Sequence, residues 1–326
     1  MTEKLPRSMN AVLYDRPGEP EVLQLGECAV PTTVGYEFLV RVVAAGVNPV
    51  DAKTRAGKGW SRGLRGYPVT PGFDFSGVVV STPYDAHPIK VGEEVFGISG
   101  FPRQGGSYAE YVSVPGLQLA RKPRRLSHVE AAAAPLAALT AWGMVVEIAK
   151  AHEGQRVLVH AGAGGVGHFA VQLAAFFGAY VVATASEHNL TWLRELGAAE
   201  VVDYRHARFE EVLDPVDVVI DLLGNSVAET SSRSLQLLRP GGLIVTAPSG
   251  GWPTMAEEAK ARQVRASNVI MQPDGATLGV LARLLDSGDL RVHVDEVFDL
   301  EHAAEAHRAV ESGHSRGKTV LRVASA

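Results

Sequence analysis

The sequence predicts a two-domain α/β protein. Its first part is a partly closed antiparallel sheet or barrel, and its middle is a doubly wound parallel sheet. Three observations carry this prediction. The chain has 326 residues, 46% of them hydrophobic and 21% charged, which is globular composition with room for two cores. Short β-branched runs separated by Gly and Pro fill the first third. From residue 157 onward strand-like and helix-like segments alternate, the pattern of a parallel sheet covered on both faces.

In order along the chain, FLVRVVAAGVN (38–48), FSGVVVS (75–81), EEVFGI (93–98) and YAEYVSV (108–114) read as strands. Pro68, Pro71, Gly72, Pro88, Gly92, Gly105 and Gly106 punctuate them. The character changes at Ser127, where SHVE before an alanine-rich run is a capping box with Glu130 at the third helical position. RVLVHAG (156–162), YVVATA (180–185), AEVVDY (199–204), DVVIDLL (217–223) and GLIVTA (242–247) read as buried strands, with helical patterns at 165–177, 189–196 and 226–238. The tail shows a helix at 275–287, another at 301–311 and a strand, KTVLRV (318–323). The expected division is therefore 1–127 with 271–326 as one domain, and 128–270 as the other.

Composition excludes several classes of function. Thirty-one Lys and Arg against thirty-six Asp and Glu give a net charge of −5, with no footprint for nucleic acid or an anionic membrane. One cysteine, Cys28, forbids an intrachain disulfide and any zinc site that needs two thiolates. MTEKLPRSMN carries no apolar signal region, and the apolar stretches 131–146 and 169–185 contain Pro135, Thr140, Gln172 and Gly178. A cytoplasmic location is the expectation.

The clearest chemical motif is HAGAGGVG (160–167), which closes a strand and opens a helix. Gly162, Gly164 and Gly167 satisfy G-x-G-x-x-G: one glycine for the turn, one for approach of a pyrophosphate, one for close helix packing. With Gly165 and Val166 they expose the helix N-terminus to the phosphates. This predicts a Rossmann nucleotide-binding domain. NAD-preferring sites place a carboxylate at the end of the second strand; here Thr184 and Ser186 stand there, Asn189 is near, and Tyr204-Arg205 ends the third strand. These residues favour NADP(H), although Arg205 read as a merely solvated side chain stays open.

AGVNPVDAKTRAG (45–57), YPVTPGFDFSGVV (67–79), VGEEVFG (91–97), GGSYAEYV (105–112), HAGAGGVG and LRELGAAEVVDY (193–204) occur in one order. In that order they resemble the medium-chain dehydrogenase/reductase superfamily, over nearly the whole chain. The closing stretch 285–323 is similar to zinc-free quinone and enone reductases, especially the reticulon-interacting-protein-like group. The resemblance implies a GroES-like barrel for the catalytic domain. It also implies reduction of a quinone or α,β-unsaturated carbonyl by NADPH. Zinc-dependent members place a Cys where this chain has Asn48, and G-H-E where it has Gly72-Phe73-Asp74, so no metal is expected. NADPH-using relatives often carry Lys where Asn189 stands; Arg205 or His188 would have to compensate, while Ser186 and Tyr204 fit the NADPH-type pattern.

Without a metal, the protein must position the acceptor and stabilise charge on its carbonyl oxygen. NPVDAK offers Asn48, Asp51 and Lys53 as catalytic candidates. In an extended or turn conformation Asp51 and Lys53 face the same way and would pair. A structural pairing of Asp51 with Lys53 or Arg55 is the alternative. By the resemblance Asn48 faces the nicotinamide and Thr140 meets its ribose or ring, unless Thr140 back-bonds to its own helix turn. Trp60 with Phe73 or Phe101 would wall an apolar pocket, or else pack in the core. Thr246 and Ala247, opening TAPSGG (246–251), would read the carboxamide through the backbone, and Asn268 is a weaker candidate. RASNVIM (265–271) would be an exposed sheet edge in a monomer, so a homodimer is expected. The competing reading is a catalytically silent NADPH-binding regulatory module on the same fold.

Overall fold

The computed structural model describes residues 5–247 and 251–324. Two compact units result: 1–136 with 272–288 and 292–326, and 137–271 with 289–291. Among the described residues no helix is long and apolar enough to cross a membrane.

The first unit opens with an antiparallel pair, β1 (Ser8–Leu13) and β2 (Gln24–Ala29). The long strand β3 (Glu37–Val47), buried almost throughout, is its organising element. It leads into α1 (Pro49–Arg55). There follow β4 (Asp74–Ser81), β5 (Glu94–Ile98), β6 (Tyr111–Pro115), β7 (Leu119–Arg121) and α2 (His128–Ala133). The capping box of α2 forms: Ser127 Oγ accepts from the Glu130 backbone N–H at 3.2 Å, and Glu130 accepts from that of Ser127 at 2.8 Å.

The second unit begins within α3 (Pro135–Trp142) and runs through a π-helical turn Gly143–Ile148, β8 (Arg156–Val159), α4 (Gly167–Phe176), β9 (Tyr180–Ala185), α5 (Leu190–Glu195) and β10 (Glu200–Asp203). It continues with α6 (Phe209–Val212), β11 (Val216–Asp221), α7 (Thr230–Ser234), β12 (Leu238–Thr246), α8 (Met255–Ala261) and β13 (Arg265–Asn268). All six strands are parallel in the order β10-β9-β8-β11-β12-β13. The order reverses at β8, the switch point where such sheets bind ligands. Leu158, Val182, Val202, Val219 and Ile244, one from each of five strands, share one apolar cluster.

The chain then returns to the first unit as α9 (Gly275–Ser287), β14 (Val294–Asp299), α10 (Ala303–Glu311) and β15 (Lys318–Arg322). β15 pairs antiparallel with β3, completing a seven-stranded sheet in the order β14-β15-β3-β4-β5-β7, with β6 on β3.

Three expectations change. The first unit extends to 136 rather than 127, because the alanines of α2 pack on its own sheet: Ala132 and Ala133 meet Ala44 and Val320. Residues 289–291 belong to the second unit, where Gln172 exchanges two hydrogen bonds with the Arg291 backbone at 2.9 and 2.8 Å. The helix expected over 226–238 shrinks to α7, with Ala228 and Glu229 at positive φ before it. Its serines make competing bonds, Ser231 Oγ to Asp221 at 2.7 Å and Ser234 Oγ to the Thr230 carbonyl at 2.6 Å.

Candidate functional site

NPVDAK is not extended. Asn48 caps α1, Pro49 takes the first helical position, and Asp51 at the third accepts from the Asn48 backbone N–H at 2.8 Å. Residues two apart on a helix diverge, so the expected pairing of Asp51 and Lys53 does not form. Asp51 is 2% exposed, whereas Lys53 is exposed and joins no ion pair among the described residues. Arg55 does not pair with Asp51 either: it is buried against Glu311 at 2.7 Å and the Gly18 carbonyl at 3.0 Å.

Asp51 instead joins a buried polar centre in the first unit. The Asn48 amide is held at both ends: Nδ2 donates to Asp74 at 2.9 Å, and Oδ1 accepts from the Lys318 ammonium. Lys318 also donates to the Val47 carbonyl at 3.1 Å and lies 3.8 Å from the Asp74 carboxylate. Asp74 accepts from the Leu136 N–H at 2.8 Å. On the far side, Tyr108 donates to Asp51 at 3.4 Å and lies 3.3 Å from His307 Nε2. Asp51 Oδ1 and His307 Nδ1 are buried without a partner among the described residues.

Desolvation dominates the electrostatics. Burial pushes the Asp51 carboxyl up to about 7, against the pull of the Asn48 N–H. It pushes Asp74 up to about 6, with Lys318 the main opposing influence. Burial lowers Lys318 despite both carboxylates, and drives His307 down to about 3, so that imidazole is neutral at pH 7.

Lys318, Tyr108 and His307 were not anticipated as site residues. Lys318 and His307 did carry a signal, being polar side chains at core positions. Lys318 opens an apolar strand, and His307 shares the buried face of α10 with Ala303 and Ala306. The aromatic set expected to wall a pocket does assemble within this unit. Half-buried Trp60 packs edge-on against Phe101 at 5.7 Å, and Phe101 against Phe73 at 5.2 Å.

In the second unit, the loop from β8 to α4 has the form that the glycine motif requires. A Cβ on Gly167 would lie 2.1 Å from the Ala161 carbonyl oxygen, so only glycine permits this turn. Gly164 is the opposite case, with nothing closer than 3.3 Å to such a Cβ. Gly164, Gly165 and Val166 are partly exposed, and the Gly165 and Val166 N–H groups have no acceptor among the described residues. Gly162 donates to the Thr184 carbonyl at 2.9 Å, tying the turn to β9. This cradle fits a dinucleotide pyrophosphate, and a bound nicotinamide supplies the hydride chemistry.

The remaining cofactor candidates divide. Ser186, His188 and Asn189 cluster at the end of β9, with Asn189 Nδ2 3.4 Å from Ser186 Oγ and His188 Nδ1 3.3 Å from it. Thr184 points elsewhere, its hydroxyl 3.1 Å from His160 Nδ1, and His160 continues to Ser234 at 2.8 Å. Burial lowers His160 to about 4. Tyr204 and Arg205 are exposed beyond β10, the guanidinium 5.9 Å from the Tyr204 ring centre. Carboxylates do approach this end: the register that sets Asp203 beside Ala185 brings Glu187, Asp203 and His206 within 4.8 Å of one another. Thr140 is buried in α3, and Thr246 is buried beside half-buried Ala247, its hydroxyl without a partner among the described residues. Of TAPSGG, residues 248–250 lie outside the described residues. Asn268 ends β13 and is exposed.

One unit with a dinucleotide-binding sheet and loop, and another with a buried acid–lysine centre and an aromatic cluster, define a two-domain nicotinamide-dependent oxidoreductase. Comparisons with known proteins agree. Residues 35–124 match the alcohol dehydrogenase GroES-like domain, and 196–321 match the family described as zinc-binding dehydrogenase. The human NAD(P)H oxidoreductase RTN4IP1, mitochondrial, is 31% identical over 98% of this chain and 90% of its own. The 2-methylene-furan-3-one reductase of Solanum lycopersicum is 34% identical over 97% of this chain and 80% of its own. The solved quinone oxidoreductase of Coxiella burnetii superposes with a TM-score of 0.92, at 38% identity, covering 97% of this chain and all 100% of that one. The chain belongs to the medium-chain dehydrogenase/reductase superfamily, in its quinone and enone reductase branch.

Proposed function

We propose that this protein is a zinc-independent reductase that uses NADPH to reduce a quinone or an α,β-unsaturated carbonyl compound. The observation that carries the reading is the Asn48 amide clamped between Lys318 and Asp74. Zinc-dependent relatives carry a cysteine ligand at this position; here it holds an amide already engaged by an ammonium and a carboxylate. Asp74 takes one N–H of the Asn48 amide, and the second is the donor proposed for the acceptor's carbonyl or the nicotinamide. Lys53, exposed on α1, is proposed to stabilise negative charge on that carbonyl oxygen.

NADPH is favoured over NADH because Ser186, His188 and Asn189 gather where a 2′-phosphate would lie, with Arg205 exposed nearby. Glu187 and Asp203 make that preference depend on Arg205, since they are the local negative charges. A homodimer through the β13 edge is also proposed, supported by the edge position of that strand and by exposed Ile270 beyond it. The proposed compartment is the cytoplasm, supported by the lone, disulfide-free Cys28.

Loss of 340 nm absorbance with NADPH and a panel of quinones and enones tests the function. Turnover with metal-free protein supports it. Tight NADPH binding with no acceptor reduced points instead to a regulatory module. Sedimentation at micromolar concentration tests the dimer.

A further inference from the structure

The segments that carry the aromatic cluster also carry an uncompensated positive charge. Acidic residues outnumber basic ones in the whole chain, 36 to 31, yet none lies between Asp51 and Asp74 or between Glu94 and Glu110. In those intervals Lys58, Arg62, Arg65 and Arg103 are all exposed, and none joins an ion pair among the described residues.

The fold holds these segments together. The Lys58 N–H donates to the Lys53 carbonyl at 2.8 Å, and the Trp60 N–H to Thr54 Oγ1 at 3.3 Å, fixing the segment to the end of α1. A 3-10 turn over Ser61–Gly63 then carries Arg62. Gly63 sits against the second segment: a Cβ there would lie 3.2 Å from the Pro102 carbonyl oxygen and 3.6 Å from Arg103 Cα. The ring contact of Trp60 with Phe101 closes the same junction. Phe73 and Phe101 are the buried end of the ring series, at 3% and 9% exposure, and half-buried Trp60 is its outer end. Lys58 and Arg62 lie two residues either side of Trp60 in the chain, Arg103 two beyond Phe101, and Arg65 three beyond Arg62.

We propose that the acceptor is anionic: a conjugated, apolar reacting part lies along the aromatic cluster, and a carboxylate or phosphate at its other end is held by Lys58, Arg62, Arg65 and Arg103. This rests on the reductase reading for the site but not on which acceptor is reduced. Cations left unpaired beside an apolar wall attract and orient a small anion whose remainder the wall covers. By contrast, Arg55 and Arg233, which tie elements of the fold together, are paired with Glu311 and Glu210.

The test compares 4-(3-oxobut-1-enyl)benzoate with its methyl ester, which share the enone and ring and differ in charge. At saturating NADPH and low salt, kcat/KM for the acid is expected to exceed that for the ester by about tenfold. Salt near 0.5 M should collapse that ratio, as should the R62E/R103E variant. The salt series on unmodified protein decides the matter if the variant does not fold. Crotonyl-coenzyme A against crotonaldehyde asks whether phosphates serve as well; preference for either anion sustains the proposal and names its source. A ratio near one, unmoved by salt, overturns it. Retention of a DNA oligonucleotide without any preference for acid over ester also overturns it. If neither enone is reduced, calorimetric titration separates the two claims. Salt-sensitive binding of the acid over the ester keeps the anion site while the reductase reading falls, and equal binding removes the anion site as well.

Discussion

Lys318→Met removes the one cation from the buried centre while keeping most of the apolar stem. The ammonium it deletes bonds the Asn48 amide oxygen and the Val47 carbonyl and lies 3.8 Å from Asp74. Breaking a buried pair by removing one partner costs about 3–5 kcal/mol, because the other charge stays buried. For a domain of this size that is a fall in Tm of roughly 6–20 °C. The dependence on pH is the sharper test. Asp51 and Asp74 have folded values raised to about 7 and about 6. A raised carboxyl stabilises the folded unit fully below the ordinary carboxylate range, and that stabilisation is lost as pH rises through the folded value. Without Lys318 both values climb further. The variant is then nearly as stable as the parent at pH 5, where its carboxyls are protonated, and much less stable at pH 8. Urea denaturation at the two pH values measures this directly. An equal deficit at both would show that Lys318 acts through packing, and the electrostatic account of the centre would be wrong.

Lys53→Met should lower kcat by on the order of 10²–10³ with little change in KM, since the charge it removes serves the transition state. Lys53 is exposed and joins no ion pair among the described residues, so Tm should hold; kcat within a factor of about three would mean a solvent proton suffices. Arg205→Ala should raise KM for NADPH roughly ten- to a hundredfold and leave NADH kinetics unchanged; equal effects on both cofactors would remove its role at the 2′-phosphate. Metal analysis of purified, active protein should find zinc well below one per chain, and stoichiometric zinc that survives dialysis would overturn the reading of Asn48 and Phe73.

The parallel unit was legible because its signals are local. Each strand is a short apolar run, and the glycine loop announces the strand-to-helix junction by residue type alone. Where local signals conflict, the reading fails. Residues 226–238 have helical periodicity, but Ser231 and Ser234 bond Asp221 and Thr230, and the helix keeps only five residues. The segment at Asn48 misled in another way. Asn48-Pro49-x-Asp51 is a helix-start pattern, and reading it as extended paired Asp51 with the wrong lysine. The cation that does approach Asn48 is 270 residues away in sequence, and His307 is 199 from Tyr108. No periodicity encodes such partners. Only the oddity of a Lys and a His at core positions hints that partners exist.

The charges of the centre constrain what it does. Asp51 and Asp74 are both buried, Lys318 is the cation among them, and His307 is neutral. Two carboxylates with one ammonium leave one negative charge without compensation in a buried site, a costly arrangement that binding one proton relieves. Asp74 is the poorer place for that proton, because its two oxygens already accept from Asn48 and the Leu136 N–H. Asp51 is the better one, with Oδ1 unbonded among the described residues. The centre therefore changes its protonation near neutral pH at Asp51, the third helical residue of the capping box that Asn48 opens. Asn48 is thus held by one pair whose charges match, Lys318 and Asp74. Its backbone N–H, in turn, is bonded to an acid whose burial raises its value to about 7, so proton occupancy at Asp51 acts on the backbone that carries the amide.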